Sequence, residues 1–111
     1  MGISFPIIKR YEVFNSIGRT FVVEIIIKET EDYLNYFPEG KKCIFRLFRE
    51  KIINSREFEL VLLIDNHAPY GFHIHNKLPE IHDSRVGIKT SDWKEAWYNF
   101  DKFTKELMDE T

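Results

Sequence analysis

The alternation of apolar and polar positions divides this chain into a series of strands followed by one helix. Ile7 to Phe14 is a β-branched and aromatic run that stops at Asn15-Ser16-Ile17-Gly18, a polar, glycine-containing stretch suited to a hairpin turn. From Arg19 to Lys28, Phe21, Val23, Ile25 and Ile27 recur at every second residue, with Val22, Glu24, Ile26 and Lys28 between them. That spacing predicts a strand with one face buried and the other partly wet. Glu29 to Gly40 breaks the pattern and admits either a short helical turn capped by Thr30 and stopped at Pro38-Glu39-Gly40, or an irregular loop. Lys41 to Glu50 resumes it, with Cys43, Phe45 and Leu47 on one face and Ile44, Arg46 and Phe48 on the other. After a connection at Lys51 to Ser55, Arg56 to Asp65 alternates Phe58, Leu60, Leu62 and Ile64 with Glu57, Glu59, Val61 and Leu63, and an antiparallel hairpin with the preceding strand is expected.

Phe72 to Asn76 predicts a shorter strand, reached across a turn at Asn66 to Gly71 and closed by Pro79, and weak patterning leaves room for another around Val86. The last element is the plainest: Trp93, Ala96, Trp97, Phe100, Phe103, Leu107 and Met108 form an apolar stripe at helical spacing. Asp92 with Glu95 three residues on makes a capping-box-like start. The expected architecture is α+β, a mostly antiparallel sheet of about five strands with one C-terminal amphipathic helix packed on a face. The aromatic stripe is assigned to the core rather than to a cofactor.

At 111 residues the chain is a single domain spanning 1–111. Cys43, the sole cysteine, rules out an intrachain disulfide and fits a reducing compartment, so a cytoplasmic location is expected. No secretory signal is evident and no apolar run reaches membrane-spanning length, so no membrane partner is expected. The net charge of −2 argues against a generally basic nucleic-acid binder but hides a local imbalance. Between Lys41 and Arg56, six basic residues face Glu50 alone, whereas the helix segment is acidic. The basic hairpin is either a solvated face or a surface for phosphates.

All four histidines, His67, His73, His75 and His82, fall in one short segment that begins where the most hydrophobic run ends. On a strand, His73 and His75 share a face at roughly 7 Å, beside a turn presenting Asp65, Asn66 and His67. Three uses follow. Two imidazoles can take and deliver a proton across one scissile bond, as metal-independent RNA cleavage needs, with Arg46 or Arg49 supplying a cation to phosphate, Asp65 orienting a histidine, and no cofactor. His-x-His is also a recurrent metal-ligand pair, to which Asp65, His67 or His82 would add a third ligand. The third use is structural: exposed strand histidines beside an Asx-type turn. Cys43 reads as a small core residue, and no phosphate loop, nucleophile elbow or paired-carboxylate spacing is present.

Lys42-Cys43-Ile44-Phe45-Arg46-Leu47-Phe48, then Leu62-Leu63-Ile64-Asp65-Asn66, His73-Ile74-His75 and the final helix together resemble the TumE family of toxin-antitoxin toxins, over the two thirds of the chain from Lys41 on. Ile74 stands where that family carries Arg. The resemblance carries Arg46, Asp65, Asn66, His73 and His75 over as site residues. It implies a small toxin neutralised by a cognate antitoxin, with action on RNA an extension by analogy. A second class of function rests on apolar residues on both strand faces: Val22, Ile26, Val61 and Leu63 suit a non-catalytic interaction domain that binds a partner or forms a homodimer.

Overall fold

In the computed structural model the residues described are 4–29, 40–66, 72–75, 86–87 and 92–110. Their strands are β1 (Ile7–Phe14), β2 (Thr20–Glu29), β3 (Lys41–Glu50), β4 (Phe58–Asp65), β5 (His73–His75) and the two-residue β6 (Val86–Gly87), followed by α1 (Trp93–Asp109). The strands form one antiparallel sheet whose spatial order is the chain order, β1 through β6. The fold is α+β, as the periodicities predict. The segment Glu29 to Gly40, weighed above as a helical turn or loop, lies outside the described residues except for its two ends, and so does most of the Asn66 to Gly71 turn. No helix among the described residues is long and apolar enough to cross a membrane.

Period-two alternation gives the sheet two unlike faces. On one, Phe21, Ile25 and Ile27 of β2, Phe45 and Leu47 of β3, and Leu62 and Ile64 of β4 are completely buried. Helix α1 covers this face. Its Trp93, Ala96, Phe100 and Thr104 are buried at spacings of three and four, and Phe45 meets Trp97 and Phe100 with ring centroids 6.3 and 5.7 Å apart. The Asp92 carboxylate caps the helix by accepting the Lys94 amide at 2.8 Å. At the other end, Asn15 of the β1–β2 turn donates to the Met108 carbonyl at 3.3 Å.

One expectation fails in β4. Leu47 pairs with Leu62 but Phe48 pairs with Leu60, so a bulge at Val61 sets two β4 residues against one step of β3. The alternation therefore reverses along the strand. Leu62 and Ile64 face the helix, Leu60 lies with Phe48 on the opposite side, and Val61, expected beside Leu63, joins the buried core. The bulge leaves the residues beyond it, Leu63 and Asp65, on the face away from α1.

Candidate functional site

That second face is organised in cross-strand rows. One row reads Ile8, Ile26, Ile44, Asp65 and His73, and its neighbour reads Arg10, Glu24, Arg46, Leu63 and His75. Asp65 and His73 are therefore direct partners in the β4–β5 pairing, and His75, two residues on, shares their side of the sheet. The Nε2 of His73 lies 2.6 Å from Oδ1 of Asp65. The His73 and His75 rings meet edge to face with centroids 5.0 Å apart, closer than strand spacing alone suggests because the rings lean together. One ligand atom from each of the three side chains falls within 4.8 Å of the others.

The histidines are not the exposed strand residues of the structural alternative: only 3% of His73 and 7% of His75 is accessible. Burying two imidazoles is costly unless their nitrogens are engaged, and both rings have polar or ring partners here. Asp65 is the most open member, with 19% of its side chain exposed, so the cluster meets solvent at the carboxylate.

The other site residues named from the sequence fare differently. Arg46 is on the correct face, but its Nη1 is held by Glu24 Oε1 at 2.6 Å, and Leu63 stands between it and His75. The second oxygen of Glu24 takes Arg10 at 2.9 Å, so the basic residues here are tied by an acid contributed from β2. Arg49 is a correction. Regular alternation in β3 places it on the helix side of the sheet, paired with Glu59 at 2.8 Å, so it does not share a surface with the histidines. Asn66 is 3% exposed and has structural work: its Oδ1 accepts the Cys43 amide at 2.9 Å and its Nδ2 donates to the Lys41 carbonyl at 2.8 Å, prolonging the β3–β4 pairing beyond the last strand residue. Cys43 is buried, as expected of a core residue. His67 and His82 lie outside the described residues.

The residue that sequence reasoning missed is Glu24. It stood out only as the one acid between Val22 and Ile26, and nothing short of the strand register shows that it meets two arginines. Comparison of the chain with protein-family models, with curated proteins and with solved structures finds no match, so the reading of this site rests on its own geometry.

Proposed function

We propose that this protein is the toxin component of a toxin-antitoxin module, acting on RNA in the cytoplasm through Asp65, His73 and His75 and held in check by a cognate antitoxin protein. The observation that supports it most is the buried Asp65–His73 contact with a second imidazole stacked edge-on against it. A carboxylate beside one histidine fixes its ring orientation and stabilises the imidazolium that forms when that histidine accepts a proton, while the second histidine serves as the acid for the leaving oxygen. Arg46 would turn from Glu24 to phosphate to stabilise the charge that develops there.

Because both histidines are buried, truncation to alanine would leave cavities, and glutamine at His73 and His75 is the better probe. Inducing the wild-type gene alone is expected to arrest growth and deplete cellular RNA. The H73Q/H75Q protein, if its melting midpoint matches wild type, is expected to do neither. Harmless induction of the wild type, or equal toxicity of the folded double variant, overturns the proposal.

The second reading, a non-catalytic interaction domain, is favoured by the row Ile8, Ile26 and Ile44 on the face away from the helix, where Ile8 is 63% exposed. Ile26 belongs to this apolar face as the sequence suggested, whereas Val61 belongs to the core.

A further inference from the structure

We propose that Asp65, His73 and His75 form a binding site for one first-row divalent cation, best matched by Zn2+, and that filling it silences the proton-transfer pair. The second half rests on the acid–base reading above, whereas the first half does not. Two imidazole nitrogens and a carboxylate oxygen are the donor set of three-ligand zinc sites, which keep a fourth position for water or a small ligand. Here the three donors lie within 4.8 Å of one another, so modest side-chain adjustment brings them around a single ion at ~2.0–2.2 Å from each. They stand on two paired strands rather than on a loop, so their backbones are fixed before any ion arrives.

A second observation points the same way. Oδ1 of Asp65 is buried and accepts no hydrogen bond among the described residues, although Nε2 of His73 is only 2.6 Å away. A buried carboxylate oxygen with no hydrogen-bond donor is a ready cation ligand, and a tetrahedral ion would move it and the His73 nitrogen apart from 2.6 Å to about 3.3 Å. Asp65 is the partly exposed member of the three, so an ion or small ligand reaches the cluster from its side.

Coordination engages the imidazole lone pairs, the same pairs that a general base uses to accept a proton. A metal-loaded site therefore holds its histidines out of acid–base work, and chelation returns them.

Calorimetric titration of chelator-stripped wild-type protein with ZnCl2, alongside visible absorption on adding CoCl2, tests the site without reference to activity. One equivalent of Zn2+ and the intense Co2+ bands of a four-coordinate site are expected, with D65N and H75Q each weakening Zn2+ by about 100-fold or more. The Co2+ spectrum is read on the wild type, so it stands even where a variant fails to fold. Absence of uptake overturns the site and leaves the acid–base proposal intact. With purified protein and RNA, cleavage that Zn2+ suppresses and EDTA restores supports the silencing role. Cleavage that requires Zn2+ overturns that role, together with the metal-free mechanism above.

Discussion

Glu50 shows how one side chain governs a turn. It closes β3, is 1% exposed, and its Oε2 accepts the Arg56 amide at 2.9 Å across the hairpin to β4. Within that turn Asn54 and Arg56 adopt positive φ, 69° and 60°, a region that costs a non-glycine residue roughly 1–2 kcal/mol. The carboxylate offsets that strain by accepting the Arg56 amide. Its pKa is held below the ordinary 4.5 chiefly by the Arg56 amide, against the opposing effect of burial, with the amides of Asn54 and Thr20 and the Arg56 charge adding to the lowering. A carboxylate depressed in the folded state stabilises the fold above its unfolded pKa, and that contribution is lost as pH falls through 4.5 and below. Urea midpoints measured from pH 6 downward are therefore expected to fall more steeply for wild type than for E50Q below about pH 4.5, and parallel curves would remove Glu50 from this role. From the sequence Glu50 was visible only as the lone acid in a basic hairpin, because the amide it accepts belongs to Arg56, whose positive φ no pattern announces.

At the scale of elements, helix α1 carries the core. Phe100 is completely buried against Phe45, so Phe100→Ala is expected to cost about 3–5 kcal/mol in a denaturant titration, and a loss below ~1 kcal/mol would mean that the helix docks loosely. This helix and the strands β2 and β3 were legible because their apolar residues recur at a single unbroken period. Strand β4 was not, because it is apolar on both sides, so its alternation carries no phase that could betray the bulge at Val61. The candidate site was legible in the same uneven way. That His73 and His75 share a face follows from a spacing of two, and that Arg46 and Arg49 do not follows from a spacing of three, whereas the pairing of Asp65 with His73, and which of the two arginines shares the histidine face, depend on strand register across β3, β4 and β5.

For the whole molecule, the division of labour between the two sheet faces separates stability from chemistry. The helix and the fully buried apolar residues lie on one side, while Asp65, His73 and His75 lie on the other. A sheet whose spatial order repeats its chain order has a further consequence during synthesis. Each strand pairs with the one made just before it, so short loops close first and the sheet can assemble as it leaves the ribosome. Among the described residues, however, the main cover of its oily side is Trp93–Asp109, the last element to be translated. A nascent chain stalled just before Trp93 is expected to be cut by protease far faster than one carrying the helix clear of the exit tunnel; equal resistance would show that the sheet stands without it. The final helix thus acts as a completion signal, and a chain released early is handed to quality control with its strands paired and its core bare.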